Sequence, residues 1–106
     1  MKQGLRIAVA AFAMLGAVGA TAQDYPSKPV RIVVPLATGG TADILARVVS
    51  NDLAARLGKP VLVENRTGGG GHIGSEFVAR SPADGYILLS AGIPQAIGMS
   101  LYKDLS

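Results

Sequence analysis

Two glycine-rich turns hold most of the chemistry this chain offers: Pro35-Leu36-Ala37-Thr38-Gly39-Gly40-Thr41-Ala42-Asp43 and Glu64-Asn65-Arg66-Thr67-Gly68-Gly69-Gly70-Gly71-His72-Ile73-Gly74. Each follows a short β-branched run and leads into a helical pattern. That chemistry is anion binding. A helix N-terminus presents unpaired N–H groups and the positive end of the helix dipole, and glycines let a ligand reach that backbone unobstructed. In the first turn, the N–H groups around Thr38, Gly39, Gly40 and Thr41, with the hydroxyls of Thr38 and Thr41, are expected to bind a carboxylate. The same glycines equally suit a tight strand-to-helix turn. Asp43 is a poor partner for an anion and is assigned to the first helical turn, where it complements the dipole.

In the second turn, Gly69-Gly70-Gly71-His72-Ile73-Gly74 satisfies the G-x-G-x-x-G pattern of dinucleotide sites. The acidic residue that holds a ribose about 20 residues further on is missing, because that region reads Ala91-Gly92-Ile93-Pro94-Gln95. His72 is the only histidine, and no cysteine or carboxylate stands at ligand spacing from it, which argues against a metal centre. Ser75 and Ser90 lie outside any nucleophile-elbow pattern, so neither a catalytic residue nor a cofactor is expected. Arg66 has the fork geometry to hold an anion bidentately, yet Glu64 two residues earlier is an equally good partner.

The elements that must position these turns follow from the hydrophobic pattern. Val30-Arg31-Ile32-Val33-Val34 reads as a strand ended by Pro35, apolar enough for a sheet covered on both faces. From about Thr41 to Leu57, Ile44, Leu45, Val48, Val49, Leu53 and Leu57 recur at helical spacing and predict an amphipathic helix with one buried stripe. Gly58 and Pro60 stop it. Val61-Leu62-Val63-Glu64 is a second strand, followed by a helix from about His72 or Ile73 to Arg80 that buries Ile73, Phe77 and Val78. Tyr86 to Ser90 form a third strand, and Pro94 to Tyr102 a further short helix. The order is β-α-β-α-β, an α/β arrangement with right-handed crossovers and a parallel sheet.

Residues 1–22 read as a secretory signal peptide. Lys2 and Arg6 form its basic region, Ile7 to Val18 its apolar region, and Ala20-Thr21-Ala22 the cleavage site. Those 12 residues are too few to span a bilayer, which takes about 20, so no stable membrane insertion is expected after cleavage. Without Lys2 and Arg6, the ten basic residues fall to eight against seven acidic, and a nucleic-acid partner is not expected. The absence of cysteine excludes disulfides and thiol chemistry, which suits a bacterial periplasmic protein better than a small secreted scaffold.

Taken together, several stretches resemble the tripartite tricarboxylate transporter substrate-binding proteins, the Bug family of periplasmic receptors. They are Tyr25-Pro26-Ser27-Lys28-Pro29-Val30-Arg31, Val34-Pro35 with Gly39-Gly40 and Asp43, Val63-Glu64-Asn65-Arg66 with Gly68 through Gly74, Pro82-Ala83-Asp84-Gly85-Tyr86, and Ser100-Leu101-Tyr102. The resemblance implies a two-lobed, type II periplasmic binding protein fold with sheet order 2-1-3-n-4 in each lobe. It further implies a receptor that captures a small carboxylate and hands it to membrane transporter subunits. Carried over by position, the ligand-binding residues are Ala37, Thr38, Gly39, Gly40 and Thr41 in the first loop. Gly69, Gly70, Gly71 and His72 follow in the second, and Ala91 and Gly92 after the third strand.

This chain departs from the family pattern at Ala37-Thr38, Thr67, Gly70 and Gly98-Met99. The first three changes keep the backbone donors, whereas the last removes a polar contact expected from that helix. Family members are much longer, so residues 23–106 are expected to be an incomplete N-terminal lobe that binds weakly or not at all alone. Two other readings stay open: a fragment of a nucleotide-binding enzyme using the Gly69–Gly74 loop, and a small stand-alone secreted interaction domain.

Overall fold

The computed structural model describes Ala22 and residues 24–101. The expected signal segment and its cleavage site fall almost wholly outside the described residues, as does Tyr102. Strands β1 (Val30–Val34), β2 (Val61–Asn65) and β3 (Ile87–Leu89) form one parallel sheet in the order β2-β1-β3. Helix α1 (Thr41–Leu57) joins β1 to β2, helix α2 (His72–Ala79) joins β2 to β3, and helix α3 (Ile93–Leu101) follows β3. The register pairs Ile32 with Val63 on one side and with Leu88 on the other. This is the α/β, parallel arrangement that the hydrophobic pattern predicts.

Because β1 is central, the chain leaves it toward β2 and then returns past it to β3. Right-handed crossovers in opposite directions place their helices on opposite faces of the sheet. Accordingly α1 packs on β1 and β2, whereas α2 packs on β1 and β3. Val30, Ile32 and Val34 form the core beneath α1 with Ala46 and Val61, while Val33 faces the other way and is fully buried. Glycine at position 58 ends α1 in the left-handed conformation, with φ +67°, and its N–H closes on the Ala54 carbonyl.

Two expectations about burial are corrected. The buried face of α1 is Asp43, Ala46 and Ser50, while Ile44, Leu45, Val48 and Val49 are 54–63% exposed and only Leu53 and Leu57 are partly covered. Small side chains let the helix axis approach β1 and β2 closely, so the bulky residues are left along its flanks. Leu45 and Val49 then border a shallow groove with Ile32 and Leu88, above the β3 side of the sheet. Ile73 is likewise 55% exposed, because its side chain folds back over the glycine run at Gly68 instead of entering the core.

Candidate functional site

The first glycine turn begins where β1 ends at the buried Pro35. Gly40 N–H donates to the Ala37 carbonyl at 3.3 Å, and Gly39 at the third turn position has φ +85°. A type II turn demands that positive φ, so glycine is required here by conformation. Gly40 is the extended N-cap of α1, and Asp43, three residues on, reaches back: its Oδ2 accepts the Gly39 N–H at 2.9 Å. The same oxygen accepts Arg47 Nε at 3.0 Å. Hydrogen bonding from Arg47, and next from the Gly39 N–H, holds the buried Asp43 carboxyl below its ordinary range. Asp43 thus has the structural role assigned to it from the sequence.

The turn after β3 is built by a related device. Gly92 N–H donates to Gln95 Oε1 at 2.7 Å, the glutamine half of a capping box, while Gln95 N–H donates to the Gly92 carbonyl at 3.1 Å. Gln95 Nε2 also reaches Ser75 Oγ at 3.3 Å, tying α3 to α2. Between this turn and the first lies a cleft of about 710 Å³ lined by Leu36, Ala37, Gly40, Thr41, Ala42, Leu45 and residues 90–94. Its position is the carboxyl edge of β1 and β3, where the winding direction reverses, the general location of ligand sites in open α/β sheets. Among the described residues, no ionisable side chain lines it. Among the described residues, the N–H groups of Thr41, Ala42 and Ala91 have no backbone acceptor.

The second glycine run has a different geometry. Gly68, Gly69, Gly70 and Gly71 all take positive φ, between +56° and +122°. Gly71 N–H closes on the Gly68 carbonyl at 3.0 Å, and His72 N–H closes on that of Gly69. A Cβ at Gly74 would lie 2.7 Å from the Arg66 carbonyl oxygen and 2.9 Å from Pro35 Cβ; one at Gly71 would lie 2.7 Å from Gln95 Nε2. Close packing of α2 against the first turn therefore accounts for these glycines. Arg66 pairs with Glu64 at 2.6 Å and lies over the Phe77 ring, and Arg31 holds the other Glu64 oxygen at 3.1 Å.

Of the residues expected to bind ligand, the structure brings Ala37, Gly40, Thr41, Ala91 and Gly92 to one cleft. Gly92 and Gly39 already spend their N–H groups on Gln95 and Asp43. Thr38 and Gly39 lie on the adjoining turn without lining the cleft, and Gly69, Gly70, Gly71 and the half-buried His72 are outside it. Gln95 and Asn65 escaped the sequence reading. For Gln95 a signal exists, an amide three residues after a glycine N-cap.

A family model described as the tripartite tricarboxylate transporter family receptor matches residues 45–106. The chain belongs to this receptor family. Protein BugT of Bordetella pertussis (strain Tohama I) is 45% identical over 87 residues, which are 80% of this chain and 27% of that protein. The structure of the periplasmic binding protein BugD superposes with a TM-score of 0.59 at 48% identity, covering 61% of this chain and 22% of BugD. MatC from Rhodopseudomonas palustris, solved with bound malate, superposes at 0.60 with 38% identity and covers the same shares. This receptor chain therefore spans about a quarter of the length of the relatives it matches. The matching family is described as a receptor family, and BugD as a periplasmic binding protein. Among the described residues of this family member, no helix is long and apolar enough to cross a membrane.

Proposed function

We propose that this chain is the N-terminal part of a periplasmic receptor that captures a small carboxylate and presents it to membrane transporter subunits, after export directed by residues 1–22. The observation that carries the reading is the cleft between the first turn and the turn after β3. Among the described residues it offers the open N–H groups of Thr41, Ala42 and Ala91 and no charged side chain. Backbone donors at a helix N-terminus suit a carboxylate, while Leu36, Leu45, Ile93 and Pro94 suit a short carbon body beside it. Malate in the related MatC has that chemistry.

One wall of a cleft supplies part of the contacts and no closure. Binding by this chain alone is therefore weaker than micromolar. The test is a titration of the 15N-labelled chain with malate, using the uncharged malate diamide as control. Expected are amide shifts centred on Thr41, Ala42 and Ala91 with malate and none with the diamide. Shifts centred on residues 69–72 would move the site to the second glycine run. Equal responses to both compounds would remove anion recognition.

A further inference from the structure

We infer that Asn65 is a positioning residue which, acting with Arg47 and Asp43, sets the shape of the first glycine turn for ligand capture. Asn65 ends β2 and shares a sheet face with Val61 and Val63, beneath α1. Its Nδ2 donates to the Leu36 carbonyl at 3.1 Å, across 29 residues of sequence. Its Oδ1 accepts Arg47 Nη2 at 3.5 Å, Arg47 Nε donates to Asp43 Oδ2 at 3.0 Å, and that oxygen accepts the Gly39 N–H at 2.9 Å. Leu36, just before the turn, is thus tied directly to a side chain on a different strand, and Gly39, its third residue, is tied to that side chain through Arg47 and Asp43.

None of the three side chains lines the cleft, so they act through the backbone they hold. Asp43 is 2% exposed, and its Oδ1 has no partner among the described residues, so its hold on the turn runs through Oδ2 alone. A carboxylate buried to that degree needs its cation kept in place. Arg47 is half exposed and would sample many rotamers if Asn65 did not engage its far end. The relay therefore orients the helix start that presents Thr41 and Ala42 to the cleft. Its role in capture rests on the carboxylate reading; its existence does not.

Amide hydrogen exchange on the 15N-labelled full chain tests the relay, and malate titration of the same samples tests its role. In the unmodified chain, Gly39 N–H should exchange at least about tenfold more slowly than Thr38 N–H, which has no acceptor among the described residues. Asn65→Ala should speed Gly39 exchange by about tenfold. The amides of Arg31 and Ser90, bonded to Tyr86 and Val33 carbonyls, should keep their protection. Arg47→Met breaks the same relay from an exposed helical position, should act in the same direction, and decides the matter if Asn65→Ala does not fold. The relay is overturned if Gly39 and Thr38 exchange alike in the unmodified chain, or if a folded Asn65→Ala or Arg47→Met leaves Gly39 unchanged. It is also overturned if Arg47→Met raises exchange at Gly39, Arg31 and Ser90 equally. Malate shifts should weaken in both variants. No malate response in the unmodified chain would sink the carboxylate reading, and the exchange data would still decide the relay.

Discussion

The turn after β1 and the run after β2 use the same residue type for opposite purposes. At Gly39 an added Cβ would meet nothing within 4 Å, so the glycine serves a backbone conformation and leaves the space around the turn open. At Gly74 an added Cβ would meet the Arg66 and Pro35 backbones at 3.0 Å or less, so the glycine serves contact and the space is already filled. One loop keeps donors available beside a cleft; in the other, Gly68 to Gly71 shape the backbone by positive φ and Gly74 lets α2 sit against the first. The richer glycine run is thus the scaffold, and the poorer one forms the wall of the cleft.

The most severe way to break this comparison is Gly74→Ala. Within a helix, alanine ordinarily gains up to about 1 kcal/mol over glycine. Here the clash is with backbone atoms that cannot rotate away, so a net loss of about 2–3 kcal/mol is expected in urea unfolding. A stabilised variant would end the packing account. Gly39→Ala should be milder, a loss of about 1 kcal/mol, because only the positive φ is strained. If it cost as much as Gly74→Ala, the two loops would not differ in the way described.

Acid titration sharpens the difference further, because in the first turn a buried carboxylate, Asp43, holds the backbone directly at the Gly39 N–H. Asp43 has its folded pKa lowered beneath its ordinary value of 3.8 by Arg47 and Gly39. Its contribution to stability is therefore fully present above that value and is lost as the pH falls through the lower, folded pKa. Unfolding midpoints followed down through this acid window should drop for the unmodified chain and drop less for Asp43→Asn. Smallest of all is Ile93→Ser, at a cleft residue that is 78% exposed. Its stability should change by no more than about 0.5 kcal/mol, while a ligand seated against that wall should bind less well.

Much of the fold was legible because it rests on local chemistry. The start and end of α1 were readable from Thr41 and Gly58, and β1 from Val30 to Val34, since caps and β-branched runs act over a few residues. The bulky stripe on α1 misled because period alone cannot say which face meets a sheet. Ala46 and Ser50 won that contact through their size. For the proposed site, the glycine turns were legible, but which residues line the cleft was not. Gly69 to His72 match the pattern yet lie outside the cleft, while Leu36, Ala42, Leu45 and Pro94 enter it without any local signal. Asn65 reads as an ordinary strand end until Leu36 and Arg47 are seen beside it.

By itself the sequence determined the elements, their parallel α/β order, the left-handed stop at Gly58 and the receptor family resemblance, all of which follow from propensity, periodicity and short motifs. Only the tertiary structure decided which glycines are conformational and which are contact residues, which N–H groups remain open, and which wall faces which. Those outcomes depend on pairs such as Gly74 with Pro35 and Asn65 with Leu36. Such pairs are distant in sequence and are joined only when α1 and α2 wind in opposite directions from β1.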